Sequence, residues 1–542
     1  MSHLTCGDRV RLTVLCTAAV LLVTLHLCTF RRVPTPTSDG QFYASIAVSV
    51  ATTGTGIPSM FARSPVIVDH LPFYGPVYFS LAALPVRYFG VSPASVRITS
   101  LVGVWLMAAA AAGLAWRLTG SRSRALLAAV LLLLAPELGA ANVVSTMHPV
   151  AVAFELLTLV AFAGAVAHPA NWRSGLTSGV LLGLAVLTTP RTFPFAGAFV
   201  LAGLLVPGGS AAVRRQWSVA LAACGVVVLV WAVAAKGGAV EWVRFMAGVL
   251  TREDRDVALL PFATRTWQAS GSVLVTPLVA IGLGLYAARH VGRTSGQAGA
   301  ASSAPAFLLL WTWMALVATM AVMNFAGSFR IYSVVPLFAV VLALPYGRLG
   351  LDRRVLPAVV ILLLVLDAGL ASVRWARIAA TWDRRDPDRL HAFLARHVPR
   401  GSAVIGPGAP FFTAVEQSGS SYFHLNPESS ADWARWVPEL EPEALRVPPP
   451  RRFRGRYLVW LDREPLPEEL ACASEKVARF EPPPSRLGWL GPLGHTQDTG
   501  FEPATLYRLQ TGCPRGYDPT AAAPEVVQTS GAGMPPRPRG WH

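Results

Sequence analysis

Charged residues are scarce in this chain, at only 14% of 542 residues. Soluble domains usually carry about 25%, so an ordinary soluble enzyme or binding module is excluded for most of the length. Acidic groups are the rarer sign, with 30 Asp and Glu against 46 Lys and Arg. The arginines lie between apolar runs and no nucleic-acid-binding motif accompanies them, so we expect no nucleic acid partner. Membrane topology and anionic lipid explain the basic excess.

Cysteine is also rare, with six residues. Three of them, Cys16, Cys28 and Cys224, lie in apolar runs and are expected to be packing residues. Cys472 and Cys513 are predicted to form a disulfide if their domain is extracytoplasmic, and two free thiols are the alternative. The chain also lacks a P-loop, a dinucleotide fingerprint, zinc-ligand spacing and an internal repeat.

Long apolar runs dominate the chain up to Trp375. Each holds roughly 17–22 residues, the length that crosses a bilayer core of about 30 Å. They predict an all-α polytopic membrane protein with about eleven transmembrane helices. The predicted spans are 11–30, 97–116, 124–141, 149–167, 174–190, 192–208, 217–235, 268–288, 305–323, 331–347 and 355–373. The apolar stretch 73–90 contains two prolines and is predicted to lie at the membrane surface or to be re-entrant.

Arginine in the short loops predicts the orientation. The N-terminus is predicted to be cytoplasmic, with an uncleaved first helix, and the two long loops 31–96 and 236–267 are predicted to be outside. Eleven spans then place the C-terminal domain outside as well, in a cell membrane. Arg31 and Arg32 strain this scheme, because they follow the first helix directly on the predicted outer side.

The chain after the last span has soluble patterning. We predict three parts: a transmembrane domain over 1–375, a small extracytoplasmic α/β domain over 376–513, and a disordered tail over 514–542 that is rich in Pro, Gly and Ala. The segment DPDRLHAFLARH predicts an amphipathic helix. The segments GSAVIG, RYLVWLD and ATLYRLQ predict short strands.

The first outer loop carries the most informative chemistry. It opens on Asp39, and an amphipathic stretch, Phe42–Thr53, is predicted to run along the membrane. Three further groups follow in the same loop: Asp69, His70 and Tyr74. Acidic groups at the membrane face suit base catalysis or metal binding on a substrate that arrives in the lipid. The alternative is that Asp39 only caps the helix Gln41–Val50.

Other candidates lie at predicted helix ends. Arg330, with Tyr332 nearby, is predicted to hold a phosphate, and snorkelling at the interface is the alternative. Arg191 is a weaker candidate of the same kind. His148 at the mouth of the fourth span can contact sugar or acceptor, or be a satisfied interfacial histidine. Glu155 is an intramembrane acid and so a functional hypothesis, with ion pairing inside the bundle as the alternative.

The order of these features resembles the GT-C membrane glycosyltransferases of the protein-mannosyltransferase and aminoarabinose-transferase type. That family has an Asp in the first outer loop, a Pro-Pro-Leu-Tyr-like turn, a turn ending in Phe-Gly, and an Arg-Leu start to the next helix. The matching positions here are Asp39, Pro72-Phe73-Tyr74, Arg87-Tyr88-Phe89-Gly90 and Arg97-Ile98. The later segments SFRIYSVVPLFAV and LHAFLARHVPRGSAVIG also match, so the resemblance covers about 400 residues through order and spacing.

Two departures remove carboxylates that the family often has. Gly40 follows Asp39 where the family often has Glu, and Met147-His148-Pro149 stands where it often has an Asp before the fourth span. No cofactor is therefore assigned, and a divalent metal is left open.

The resemblance implies transfer of a sugar from a polyprenyl-phosphate carrier to an acceptor on the outer face, with Asp39 as general base. It leaves the sugar and the acceptor (lipid, glycan or protein) open. The rival hypotheses are a transporter or lipid flippase, and a non-catalytic membrane scaffold. Transporters usually show inverted repeats and broken helices, which this sequence lacks.

Overall fold

A computed structural model describes ten main segments of the chain. They are residues 6–33, 38–61, 71–134, 146–189, 192–205, 211–234, 375–407, 409–425, 454–484 and 500–510. A few isolated positions between 240 and 373 are also described. Within these segments the structure is helical up to Gly401 and then forms a mixed α/β unit.

Thirteen α-helices occur in the described residues. They are α1 (Cys6–Thr29), α2 (Ser38–Thr53), α3 (Leu71–Tyr74), α4 (Pro76–Phe89), α5 (Ile98–Thr119), α6 (Arg122–Leu134), α7 (His148–Ala167), α8 (Trp172–Val186), α9 (Phe193–Leu205), α10 (Ala211–Ala234), α11 (Pro387–His397), α12 (Phe412–Gln417) and α13 (Glu468–Cys472). Short 3-10 turns lie at Ser59–Phe61, Trp382–Arg385 and Ala409–Phe411.

Four helices of the described part are long and apolar enough to cross a membrane. They are Gly7–Thr29, Ile98–Thr119, His148–Ala167 and Ala211–Ala234. Three further predicted spans, 124–141, 174–190 and 192–208, overlap the shorter helices α6, α8 and α9. The last four predicted spans, the outer loop 236–267 and the tail 514–542 lie almost entirely outside the described residues. A membrane protein is therefore confirmed, while the count of eleven stays a prediction.

Close backbone approaches hold the helix bundle together. Gly175, Gly179 and Gly183 form one face of α8, and at each of them a Cβ atom would collide with α10. At Gly179 the obstacle is the carbonyl oxygen of Ala220. Gly103 of α5 lies equally close to Val150 of α7. Small residues four apart let helices in a membrane pack backbone to backbone, where dispersion contacts replace the hydrophobic driving force.

Polar contacts define the two ends of this bundle. At one end, Arg97 before α5 contacts the end of α1, and Ser100 of α5 contacts Thr146 before α7. At the other end, Gln216 of α10 donates to the carbonyl of Pro169 at 2.6 Å. Those arginines predicted to be inside that the structure describes lie at this second end, near the starts of α1, α6, α8 and α10 and in the last turn of α5.

The C-terminal unit is built on one five-stranded sheet. Its strands are β1 (Ala403–Gly406), β2 (Ser421–His424), β3 (Arg456–Leu461), β4 (Ser474–Phe480) and β5 (Ala504–Leu509). The order is β2-β1-β3-β5-β4, with β1 parallel to both neighbours and β5 antiparallel to both of its own. The strands predicted over GSAVIG, RYLVWLD and ATLYRLQ are β1, β3 and β5, and the predicted helix is α11, so these elements are confirmed.

Cys472 ends α13 next to this sheet and takes part in a disulfide. Its partner lies outside the described residues, so pairing with Cys513 stays a prediction. Cys16, Cys28 and Cys224 are free thiols, as expected for residues inside membrane helices.

Candidate functional site

Helix α2 lies at the centre of the candidate site. It begins at Ser38, so Asp39 falls inside its first turn rather than before it. Every residue from Gly40 to Ser49 is buried. The helix therefore has no exposed polar face over these residues, and its course along the membrane surface stays a prediction. The helix is covered all round because α4 packs against it from one side and the C-terminal domain from another.

An aromatic cluster fixes α2 against the turn that follows the first loop. The ring centroids of Tyr43 and Tyr74 are 5.6 Å apart and meet edge to face. Phe79 of α4 lies 6.3 Å from each of them. Such pairs contribute about 0.5–1.5 kcal/mol each beyond the area they bury. The predicted site residue Tyr74 is thus brought to the helix that carries Asp39, whereas Asp69 and His70 lie outside the described residues.

The start of α4 crosses the end of α8 at very close range. Gly75 has φ 82° and ψ 157°. Pro76 has no backbone N–H, and the N–H of Val77 donates to the carbonyl of Leu187 at 3.2 Å. A side chain at Gly75 would overlap that same carbonyl. The turn therefore needs glycine both for its backbone angles and for the space.

The second wall of the site is the start of α7. Ser100 accepts from the amide of Thr146 at 3.0 Å and donates to its carbonyl at 2.8 Å. His148 opens α7 and is buried, and its neighbours Met147 and Val150 belong to the same buried cluster as α2. The structure thus brings His148 to the end of the bundle where α2 lies.

Glu155 lies deeper in α7, about 10 Å along the helix from His148 at 1.5 Å per residue. It is buried, and like His148 it is not without a partner. The adjacent Phe154 packs against the cluster that contains α2. Both interpretations of Glu155, as a functional group and as a pairing group inside the bundle, stay predictions.

Two buried arginines, Arg97 and Arg385, lie at this end of the bundle. Arg97 donates to the carbonyls of Phe30 at 2.9 Å and Arg31 at 3.3 Å, which satisfies the open end of α1. Arg385 donates to the hydroxyl of Thr381 at 2.8 Å.

The C-terminal domain docks on the same end of the bundle. Arg31 pairs with Asp388 at 2.9 Å, and Arg32 pairs with Asp386 at 2.9 Å. Arg32 also lies over the ring of Trp382, 4.9 Å from its centroid. These partners explain why two arginines follow the first helix on its predicted outer side: they bind acidic groups of the domain.

The positions of the remaining predicted site residues are not described, so their roles stay predictions. Arg191, Arg330 and Tyr332 lie outside the described residues. Within the described segments there is no cluster of three or more His, Cys, Asp or Glu that could hold a metal ion, so a metal site stays open. Gln41 and Arg385 contribute to this region and were not predicted, because single polar residues in such segments carry no spacing signal.

Glu416 gives the C-terminal domain a pH response. It lies near the end of α12, its carboxylate accepts from the amide of Tyr422 at 3.0 Å, and burial raises its pKa to about 7. An acid with a raised pKa favours the folded state below its unfolded pKa of 4.5 and loses that advantage as the pH rises to 7. The corresponding loss in the free energy of unfolding is at most about 3 kcal/mol, because the residue keeps a small exposed fraction.

Glu416→Gln should therefore flatten the fall in stability between pH 5 and 7.5 while keeping the bond to Tyr422, since an amide oxygen also accepts. Thermal unfolding of the detergent-solubilised protein across this range is the measurement. Glu475→Gln, on the exposed face of β4, is the control and should follow the wild type. A variant at Glu416 with unchanged pH dependence would contradict this role.

Known proteins share both the sequence pattern and the fold. Residues 72–234 match the dolichyl-phosphate-mannose-protein mannosyltransferase family. The chain is similar to the crystal structure of ArnT from Cupriavidus metallidurans bound to undecaprenyl phosphate, at 13% identity and a TM-score of 0.56. That likeness covers 92% of this chain and 97% of ArnT.

A looser likeness links the chain to the archaeal oligosaccharyltransferase AglB from Archaeoglobus fulgidus in complex with an inhibitory peptide and a dolichol-phosphate. Identity is 14%, the TM-score is 0.49, and the likeness covers 83% of this chain and 69% of AglB. No curated protein matches the sequence. The family match and the ArnT likeness confirm the resemblance deduced from the sequence, and this chain is a multi-pass membrane protein with the GT-C glycosyltransferase fold.

Proposed function

We propose that the protein transfers a sugar from a polyprenyl-phosphate carrier to an acceptor at the extracytoplasmic face, with Asp39 as the general base. The observation that carries this proposal is the place of Asp39. It lies in the first turn of a buried helix, at the end of the bundle where the membrane helices meet the C-terminal domain. A base at that place can reach both a donor in the lipid and an acceptor from outside.

The lipid-linked donor is supported by the relatives. The matching family is described by a dolichyl-phosphate-mannose donor, and the similar ArnT structure holds undecaprenyl phosphate. A phosphate at a membrane surface needs cationic partners. Arg330 with Tyr332, and Arg191, are proposed for that role, and the buried arginines 97 and 385 lie at the same end of the bundle.

The orientation follows from the two ends of the bundle. Arginine-rich helix ends lie opposite the end that carries Asp39 and the C-terminal domain. Short loops rich in arginine stay in the cytoplasm. We therefore propose that the N-terminus is inside and that Asp39 and the C-terminal domain are outside. A disulfide at Cys472 is consistent with an oxidising compartment.

The proposed step is a single displacement. The acceptor oxygen attacks the anomeric carbon, its bond to that carbon forms, and the bond from the carbon to the phosphate oxygen breaks. The acceptor proton passes to the Asp39 carboxylate, and polyprenyl phosphate leaves with the bonding electrons. Configuration at the anomeric carbon inverts. Tyr74, Asp69, His70 and His148 are proposed to line the sugar or the acceptor, and Glu155 stays a deeper candidate.

The donor requirement can be tested without knowing the acceptor. Membranes that contain the protein are given polyprenyl-phosphate sugars labelled in the sugar, and in parallel nucleotide sugars. We expect label to enter a membrane or cell-envelope fraction only from the lipid-linked donors, with release of free polyprenyl phosphate. Transfer from nucleotide sugars alone, or unaltered donor in every membrane, would reject the proposal and return the transporter and scaffold hypotheses.

A further inference from the structure

Helix α2 is shared between two parts of the chain that are distant in sequence. Its buried residues belong to one cluster with Tyr78 and Phe79 of α4 and with Leu390, Phe412 and Val415 of the C-terminal domain. A single continuous core therefore runs from the membrane bundle through α2 into the C-terminal domain. Protein interiors are close-packed, so a small displacement on one side of such a core is transmitted to the other side.

Gln41 makes a hydrogen bond across that core, from α2 to the C-terminal domain. Its side chain is buried, and its Oε1 atom accepts from the backbone amide of Thr413, 372 residues away, at 3.2 Å. Thr413 lies in the first turn of α12, where amides have no partner within their own helix. The residue before that helix, Phe411, provides no side-chain cap. Gln41 therefore supplies from α2 the cap that α12 lacks.

The end of α1, which precedes Asp39 in the chain, contacts the same domain. Arg31 and Arg32, at the end of α1, pair with Asp388 and Asp386 of the C-terminal domain. The pair of Arg32 is the less exposed, with 27% and 16% of the two side chains accessible, so solvent screens it less. In the sequence, Asp39 lies between these two arginines and Gln41, and all three residues contact the C-terminal domain.

We propose that the C-terminal domain positions Asp39, and that Gln41 is the positioning residue through which it does so. This inference rests on the proposed function, since it gives the domain a role in the same reaction. A general base must lie within hydrogen-bond reach of the proton it takes. Displacement of a reacting group by about 1 Å can lower the rate about 100-fold.

Gln41→Met tests the bond, because methionine keeps the length of the side chain and removes the acceptor oxygen. We expect kcat for sugar transfer to fall at least about tenfold, while KM for the lipid-linked sugar changes less than about twofold. The matched control is Ser45→Ala, one turn further along α2. Ser45 is equally buried but donates only to the carbonyl of Phe42 within the same helix, so kcat should be kept.

Hydrogen exchange provides a second measurement that needs no activity. In Gln41→Met, the amides of residues 38–45 and 412–417 should exchange faster together, whereas Ser45→Ala should leave 412–417 unchanged. A wild type without sugar transfer, combined with faster exchange in Gln41→Met, would reject the proposed function and keep the hold of the domain on α2. Unchanged exchange, or equal losses of kcat in both variants, would overturn the positioning role.

Discussion

Asp39→Asn is expected to abolish sugar transfer while leaving the protein folded. Asp39 lies inside the first turn of α2, so the change costs at most its interaction with the helix dipole, about 0.3–1 kcal/mol. It removes the group that accepts a proton, and loss of a general base lowers a rate by about 10²–10⁴. The measurement is transfer from a labelled polyprenyl-phosphate sugar in membranes that hold equal amounts of each variant. The two functions considered for Asp39, base and cap, therefore separate in one substitution.

Asp8→Asn is the matched control for this variant. Asp8 also lies in the first turn of a helix, α1, but at the opposite end of the bundle. Loss of its interaction with the helix dipole is worth about 0.3–1 kcal/mol, as at Asp39. Transfer should survive in Asp8→Asn. Wild-type rates in Asp39→Asn at equal expression would remove Asp39 from the catalytic step.

Gly75→Ala is expected to disrupt the packing of the site, although Gly75 takes no part in the chemical step. The added Cβ would overlap the carbonyl oxygen of Leu187, and neither backbone can yield without moving α4 or α8. We expect overlap to destabilise the protein by about 1–3 kcal/mol beyond the backbone strain. Because Tyr74 and Phe79 flank Gly75 and pack on Tyr43 of α2, transfer should fall with stability. Thermal unfolding in detergent and the transfer assay measure the two effects.

Gly90→Ala isolates the overlap from the strain. Gly90 ends the same helix with φ 73° and ψ 179°, nearly the angles of Gly75, but nothing lies within 4 Å of its Cβ position. Both variants therefore carry the strain of a conformation that glycine alone adopts readily, about 1–3 kcal/mol. Only Gly75→Ala should also lose transfer. Equal transfer rates and equal unfolding temperatures in the two variants would show that the close approach to Leu187 does not affect function.

Apolar run length made the membrane helices predictable, because crossing a bilayer sets a minimum length that a sequence must meet. The strands β1, β3 and β5 were predictable for a related reason, since each is a short apolar run with β-branched or aromatic residues. Strand β4 was not predicted. Its sequence SEKVARF is mostly polar, and it is a strand because β5 pairs with it at the sheet edge.

Helix α2 shows where sequence patterning stops being informative. The pattern of its apolar and polar residues predicts one solvent-exposed face, yet the polar residues Gln41, Ser45 and Ser49 are all buried. Gln41 is buried against the C-terminal domain, whose Thr413 lies 372 residues later in the chain. Local sequence periodicity carries no information about a partner at that separation. The same holds for Arg31 and Arg32, because their partners Asp388 and Asp386 also belong to that domain.

The sequence by itself determined the membrane class, the resemblance to GT-C glycosyltransferases and the choice of Asp39, because bilayer thickness and residue chemistry act on short stretches of chain. Only the tertiary structure decided what surrounds the helix that carries Asp39. It placed α2 between the bundle and the C-terminal domain, and it made Gln41 a hydrogen-bonded contact to that domain. Packing of distant segments is set by the shapes of the surfaces that meet, and those shapes exist only once the chain has folded.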